Sequence, residues 1–158
     1  MKTQHDIVVS NLTSSFLEQS LDQIYNMEDE WTNTGQPIWS EEQFLRDIPH
    51  KWDLSFVATL DISIIGYVIA SQSEIDQRTS RVNKIVIHHN HQRQGVGKLL
   101  MKNYIKTSLE HNMNRLELTA MSNYRPAQHL YKSLGYSKSQ TVRGKDGKLR
   151  DVYIKVID

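Results

Sequence analysis

The chain has 158 residues, a length typical of one domain, and its lack of cysteine excludes disulfides, cysteine-ligated zinc and a thiol nucleophile. Residues 1–80 carry 4 Lys and Arg against 13 Asp and Glu, whereas residues 81–158 carry 15 against 5. A basic half favours an anionic partner and an acidic half a cationic one, because such fields concentrate the opposite charge.

The sequence carries no sign of a targeting segment, a membrane segment or a domain boundary. The N-terminus, MKTQHDIVVSNLT, lacks the apolar core of a secretion signal, and the most apolar segment, IIGYVIA, is too short to span a bilayer. No repeat, low-complexity run or Pro/Gly/Ser-rich linker divides the chain. We therefore expect a single domain over residues 1–158 in a soluble, cytoplasmic protein.

The acidic half opens with one predicted strand and two predicted helices. DIVVSNL is the strand, and a helix is predicted from about Ser14, because apolar residues then recur at helical spacing. Ser40 and Gln43 form the pattern of a capping box that opens a second helix, which Pro49 ends. Between the two helices, NMEDEWTNTGQPIW is predicted to be a loop with several acids and two tryptophans.

The rest of the chain predicts six strands and two helices. LSFVATL and ISIIGYVIAS, separated by Asp61, indicate an antiparallel hairpin, and VNKIVIH is a third strand. A helix follows from Gly95 to about Asn112, then the strand RLELTAM, then a helix with Asn123 as N-cap that stops at Gly135. YSKSQTV and LRDVYIKVI, joined through GKDGK, form a closing hairpin. This order predicts a mixed α/β domain of seven strands and four helices with one β-α-β crossover.

The turn that joins VNKIVIH to the long helix predicts an anion site. A helix that starts behind Gly95 and Gly97 presents unpaired amides and the positive end of its dipole, and glycine permits a phosphate to approach closely. The P-loop motif does not fit, because Gln92 stands where it needs glycine and Leu99 where it needs serine or threonine. A dinucleotide fingerprint does not fit either, because Leu100 occupies the place of its third glycine.

Two segments carry a resemblance to a known family. QRQGVG, residues 92–97, resembles the Q/R-x-x-G-x-G/A signature of the GNAT superfamily of acyl-CoA-dependent N-acyltransferases, and NYRPAQHLYKSLGY is similar to that family's N-x-x-A-x-x-L-Y-x-x-x-G-F segment. The order of elements also matches along the whole chain. The resemblance implies a GNAT-like α/β fold, with a mixed, mostly antiparallel central sheet of about seven strands and four helices on both faces.

The same resemblance implies an N-acetyltransferase that uses acetyl-CoA as acyl-donor cosubstrate. The main-chain groups of Ile85 and Ile87 would pair with the pantetheine arm as with an added strand. Arg93 and Lys98 would add positive charge to a turn whose amides wrap the pyrophosphate. The residues of that turn are Gln92, Arg93, Gln94, Gly95, Val96, Gly97 and Lys98. Asn123 would bind the cofactor near its thiol end.

The resemblance implies that catalysis is direct attack by a bound amine. Tyr131 matches the tyrosine that protonates the departing CoA thiolate in many members, and amides freed by a bulge in the third strand would polarise the carbonyl. Many members carry a base glutamate on the strand before the glycine turn, but residues 81–91 contain no carboxylate. Glu117, on the next strand, is the candidate base. A water relay and an amine that arrives neutral are the alternatives.

The resemblance leaves the acceptor open between a small-molecule amine and a protein amino group. Glu28, Asp29 and Glu30 favour a cationic acceptor, and Trp31 and Trp39 would wall its site. Homodimers are frequent in the family, so a homodimer is a possible assembly.

Two alternative functions and a metal site each have some support in the sequence. A non-catalytic acyl-CoA sensor is compatible with the missing base glutamate. A nucleic-acid binder would use the basic half, but the sequence contains no base-reading motif, and we expect neither nucleic acid nor membrane as partner. We expect no metal at His88, His89 and His91, because neighbouring side chains on a strand point to opposite faces and no carboxylate lies near in sequence.

Overall fold

The computed structural model describes residues 6–157, and a seven-stranded sheet runs through its centre. The strands are β1 (Ile7–Asn11), β2 (Phe56–Leu60), β3 (Ser63–Gln72), β4 (Thr79–Ile87), β5 (Arg115–Met121), β6 (Ser137–Arg143) and β7 (Leu149–Val156). Their order is β1-β2-β3-β4-β5-β7-β6, and every neighbouring pair is antiparallel except β4 and β5. The predicted mixed, mostly antiparallel sheet of seven strands is confirmed.

Residues 6–157 contain seven α-helices where the sequence predicts four. They are α1 (Ser14–Gln19), α2 (Leu21–Asn26), α3 (Glu28–Thr32), α4 (Glu41–Leu45), α5 (Lys51–Leu54), α6 (Val96–Glu110) and α7 (Arg125–Ser133). None of them is long and apolar enough to cross a membrane.

The additional helices come from the acidic half. The predicted first helix breaks at Ser20 and again at Met27, whose backbones leave the helical ladder, and α3 lies in the segment predicted to be a loop. Ser20 has φ −113° and ψ 11°, outside the helical region, and its side chain makes no capping hydrogen bond. The capping box of Ser40 and Gln43 is confirmed, with both of its hydrogen bonds present.

The predicted N-cap at Asn123 is wrong. The last helix begins at Arg125, its N-cap is Tyr124, and Pro126 lies in its first turn. Proline favours that position, because the amide that it lacks has no helical partner there. The proline is therefore a better marker of this helix start than the asparagine.

Helices pack on both faces of the sheet, as predicted. On one face, Leu17, Ile24 and Phe44 of the first helices cover Tyr67 and Val86. On the other face, α6 and α7 bury a larger cluster that includes Leu100, Tyr104, Leu116, Leu118 and Tyr131. Strand β3 supplies side chains to both clusters, which explains its almost continuous apolar sequence.

Candidate functional site

The two parallel strands at the centre of the sheet pair over only part of their length. β4 and β5 are in register from Thr79 with Arg115 to Val82 with Leu118, and no pairing follows. Immediately beyond, Asn83 forms a bulge, because Lys84 pairs with Ile69 while Val82 pairs with Ala70. A bulge increases twist and bends its strand, so β4 turns away from β5 at this point.

A cleft of about 460 Å³ occupies the space between the separated strands. Its walls come from β4, the end of β5, the glycine turn with the start of α6, and α7. Trp31 and Glu30 of α3 and Gln36 close one side. The lining residues taken from β4 are Val82, Asn83, Lys84, Ile85, Val86 and Ile87.

The edge of β4 that faces the cleft offers main-chain groups to a ligand. The amide of His88 donates to the carbonyl oxygen of Ile65 in β3 at 2.8 Å. Because main-chain groups alternate in direction along a strand, those of Ile87 and Ile85 point away from β3. The structure therefore places the two residues predicted to bind the pantetheine arm with their peptide groups on the open edge.

The glycine turn ends in an anion-binding geometry. Gly95 is the N-cap of α6 in the left-handed conformation, φ 85°, and the first helical bond is donated by Leu99 to Gly95. The amides of Val96, Gly97 and Lys98 therefore have no partner within the helix. Arg93 also has a positive φ, 64°, a conformation that glycine adopts at lower cost.

Glu30 and Gln92 connect α3 to the turn. The side-chain amide of Gln92 donates to the Glu30 carboxylate at 3.0 Å and to the Ile87 carbonyl at 3.1 Å. His89 Nδ1 lies 3.0 Å from the other Glu30 oxygen. No carboxylate lies near the three histidines in sequence, but the fold brings Glu30 to one of them. Burial and the neighbouring His89 and His91 lower the pKa of His88, whose Nδ1 accepts from the amide of Asn90.

A buried ion pair lies beside the cleft. The ammonium of Lys84, which is 1 % exposed, binds the carboxylate of Glu28, and its Nζ lies 4.6 to 4.8 Å from the ring centres of Trp31, Trp39 and Phe44. Burial lowers the pKa of Lys84 to about 8, and the Glu28 charge opposes that shift without cancelling it. Of the three acids predicted to attract a cation, Glu28 is thus neutralised by the protein itself.

Two tyrosines of the last helix region border the cleft. Tyr131 is 4 % exposed and packs edge-on or tilted against Tyr136 and Tyr153, at ring-centre distances of 6.0 and 5.6 Å. Burial, with smaller effects of Tyr124 and Tyr153, raises the pKa of Tyr131 well above its usual value. Burial and the Glu30 charge raise the pKa of Tyr124, while Arg93 lowers it. Both phenols therefore hold their protons at neutral pH.

Most of the predicted site residues come together around this cleft. Those that line it are Ile85, Ile87, Gln92, Arg93, Gly95, Val96, Gly97, Lys98 and Tyr131. Gln94 lies in the same turn, but its side chain turns back to the carbonyl of Asn90 at 3.3 Å. Asn123 is exposed and does not line the cleft.

The structure does not bring Glu117 to the cleft. Its carboxylate accepts from Arg115 Nε at 3.1 Å and lies 4.0 Å from Arg81 Nε, in the part of the sheet where β4 and β5 are still paired. It is thus a member of a surface ion-pair group.

Several polar residues of the cleft were not predicted as site residues, among them Asn83, Lys84 and Tyr124. Asn83 and Lys84 belong to no motif, and Tyr124 stands at an unspecified position of the NYRPAQHLYKSLGY segment. Lys84 had one available signal, since a lysine inside an apolar strand requires a buried partner.

Comparison with known proteins agrees with this architecture. The sequence model described as Acetyltransferase (GNAT) family matches residues 20–136. A comparison with curated proteins gives no match.

Solved structures show the same fold. The ribosomal-protein-S18-alanine N-acetyltransferase from Escherichia coli aligns with TM-score 0.77 and 21 % identity over 96 % of this chain and 94 % of that one. The NatC complex bound to Gag peptide and CoA gives 0.81 and 15 %, over 97 % and 99 %. Diaminobutyrate acetyltransferase EctA from Paenibacillus lautus, in complex with L-2,4-diaminobutyric acid and coenzyme A, gives 0.77 and 14 %, over 95 % and 94 %.

Proposed function

The chain belongs to the GNAT acetyltransferase family, and we propose that it moves an acetyl group from acetyl-CoA to a primary amine by direct attack. The observation that carries this proposal is the separation of β4 from β5 beyond Val82 and Leu118, directly in front of the glycine turn. The cleft that results is lined by the open edge of β4, by the free amides at the start of α6 and by the protonated Tyr131. Two of the similar structures contain CoA, which supports the choice of donor.

The strand edge and the turn fit the two ends of CoA. The open main-chain groups of Ile85 and the amide of Ile87 can pair with a pantetheine arm as an added strand would, while the Ile87 carbonyl accepts from Gln92. The free amides of Val96, Gly97 and Lys98, at the positive end of a 15-residue helix, suit the pyrophosphate. Arg93 and Lys98 add charge, and the Gln92 and Gln94 amides complete the turn. Gly97 leaves little room for a side chain, since a Cβ there would lie 3.3 Å from Leu130 and 3.7 Å from Ile87.

Tyr131 is proposed as the general acid. The thioester supplies an activated acetyl group; a C–N bond forms, the C–S bond breaks, and the sulfur requires a proton. Tyr131 lines the cleft, and because burial raises its pKa it carries that proton at neutral pH. Asn83 is the bulged residue, and the amides next to it are the proposed donors to the carbonyl oxygen.

Glu30 is proposed to recognise the amine. It is the one acid among Glu28, Asp29 and Glu30 that lines the cleft, and it lies on the same side as Trp31. Its partners, Gln92 and His89, leave the carboxylate without a Lys or Arg ion pair among the described residues. A carboxylate beside an aromatic wall favours a cationic acceptor. The ion pairs of Glu117 do not support a role as base, so deprotonation through water or binding of a neutral amine is the proposal.

A binding measurement tests the donor site. We expect acetyl-CoA to bind the protein in calorimetric titration, and we expect Gly97→Leu to abolish binding while circular dichroism shows an unchanged fold. Lys102→Leu, an exposed position on the same helix, is the matched control. Equal affinity in Gly97→Leu would contradict the proposed site. Binding without turnover of any amine would favour the acyl-CoA sensor.

A further inference from the structure

A second cluster of metal-binding side chains lies outside the cleft. His50, Asp53 and His111 offer two imidazole nitrogens and one carboxylate oxygen, all within 4.8 Å of one another. None of the three lines the cleft. From this arrangement we propose that His50, Asp53 and His111 form a binding site for a divalent transition metal of the zinc type.

The fold brings the three residues together from distant parts of the chain. His50 and Asp53 lie at the start of α5, where His50 adopts a left-handed conformation with φ 60° after Pro49. His111 is the C-cap of α6. His50 Nδ1 is 3.0 Å from Asp53 Oδ2, His111 Nε2 is 3.9 Å from the same oxygen, and the two rings lie 5.2 Å apart.

His111 is oriented as metal-binding histidines are. Its Nδ1 lies 2.9 Å from the carbonyl oxygen of Thr107, an acceptor, so Nδ1 carries the proton. The lone pair of a neutral ring is then on Nε2, the nitrogen that faces Asp53. A hydrogen bond from the second ring nitrogen to a carbonyl fixes tautomer and orientation in metal sites generally.

The donor set selects the class of metal. Two imidazoles and a carboxylate are typical ligands of zinc and the other divalent first-row transition metals, whereas magnesium and calcium prefer oxygen ligands. Bond lengths of about 2.0 to 2.2 Å place tetrahedral ligand atoms about 3.3 Å apart, so the cluster must close by rotation of its side chains. The side chains of His50 and Asp53 are 38 % and 55 % exposed and that of His111 33 %, which leaves room for that rotation and for water as fourth ligand.

Occupation of the site would join two elements. The ion would tie the start of α5 to the end of α6, the helix whose other end forms the glycine turn. The expected role is structural, since the ligands lie at the opposite end of α6 from the cleft.

Calorimetry on untagged, chelator-treated protein tests the site, because a polyhistidine tag would itself bind zinc. We expect one Zn²⁺ per chain and no comparable heat from Mg²⁺. His111→Gln and Asp53→Asn should each weaken binding by more than about tenfold, since even outer-shell partners are worth about 10-fold to 100-fold. His129→Gln and His89→Gln, at exposed histidines elsewhere, should leave it unchanged. Because asparagine has nearly the same size and shape as aspartate, weaker binding by Asp53→Asn would not be explained by misfolding.

Thermal unfolding tests the site without relying on the heat of binding that calorimetry measures. Zinc in about 100-fold excess over Kd should raise the Tm of the wild type by about 5 °C or more, and should not raise that of His111→Gln. The proposal is overturned if the wild type binds no zinc, if His111→Gln and Asp53→Asn bind as the wild type does, or if His89→Gln alone removes binding.

Discussion

Val82 and Leu118 are the last residues at which β4 and β5 pair, and the candidate active site begins where that pairing ends. A parallel sheet normally satisfies the main-chain groups of both strands. Here the bulge at Asn83 turns one strand away, so a row of peptide groups is left for a ligand. The sheet thus creates its own binding edge in front of the phosphate-binding turn.

The turn should contribute affinity for the nucleotide end of CoA only. Arg93→Gly removes one positive charge while glycine accepts the positive φ at lower cost, so the fold should be as stable or more stable. We expect kcat/KM to fall about fivefold to tenfold with acetyl-CoA, for the loss of one charge-assisted contact. Acetyl-pantetheine, which lacks the pyrophosphate, should show no change. An equal loss with both donors would place Arg93 elsewhere in the reaction.

Tyr131→Phe should lower kcat by about 100-fold or more and leave the KM for acetyl-CoA nearly unchanged, because the proton is needed only as sulfur departs. Steady-state thiol release gives both constants. Tyr153→Phe is the control, since Tyr153 packs against Tyr131 without lining the cleft. If kcat falls in Tyr124→Phe and is unchanged in Tyr131→Phe, the general acid is Tyr124.

Glu30 and Glu117 make a matched pair of carboxylates. Glu30→Gln keeps the hydrogen-bonding shape and removes the charge on the cleft, so the KM of a cationic acceptor should rise about tenfold. Glu117→Gln breaks a partly exposed ion pair outside the cleft and should change KM little and stability by less than about 1 kcal/mol. If Glu117→Gln abolishes turnover and Glu30→Gln does not, Glu117 reaches the amine after all.

The pair of Lys84 and Glu28 should make stability depend on pH. The folded-state pKa of Lys84 is about 8, below the ordinary lysine value of 10.5, so between these values the unfolded chain binds the proton that the folded chain releases. The contribution of Lys84 to the free energy of unfolding therefore increases with pH across that window. It is lost as the pH falls through 8.

Urea unfolding between about pH 7.5 and 9.5 measures this effect, on the order of 1 kcal/mol per pH unit at most. The difference between wild type and Lys84→Met should grow with pH. The difference between wild type and Lys102→Met, at an exposed lysine, should stay constant. A constant difference for Lys84→Met would mean that Lys84 keeps an ordinary affinity for its proton.

The sequence predicts the glycine turn well because its function is local. Gly95 and the free amides of α6 depend on the conformation of a few consecutive residues, which the motif encodes directly. The seven strands were predicted for a similar reason, since each carries its own periodicity or apolar run. Of helices α1 to α5, the starts at Ser14 and Ser40 were predicted, but the breaks at Ser20 and Met27 and the helices α3 and α5 were not, because short helices are set by packing against the sheet more than by propensity.

The other half of the site depends on contacts between distant residues. Lys84 meets Glu28 across 56 positions and Gln92 meets Glu30 across 62, and no pattern in the sequence marks either pair. The sequence predicts Glu117 as the base because it stands on the next strand, but access to the cleft depends on the position of a residue along that strand. It lies in the paired half of β5, whereas the cleft opens at the other end.

The most direct test of the central claim is thiol release from acetyl-CoA, with a panel of polyamines, amino acids, amino sugars and basic peptides, for wild type and Tyr131→Phe. We predict that release requires one class of cationic amine and falls sharply in the variant. Binding of acetyl-CoA without release from any acceptor, or release that Tyr131→Phe does not reduce, would contradict the proposed mechanism.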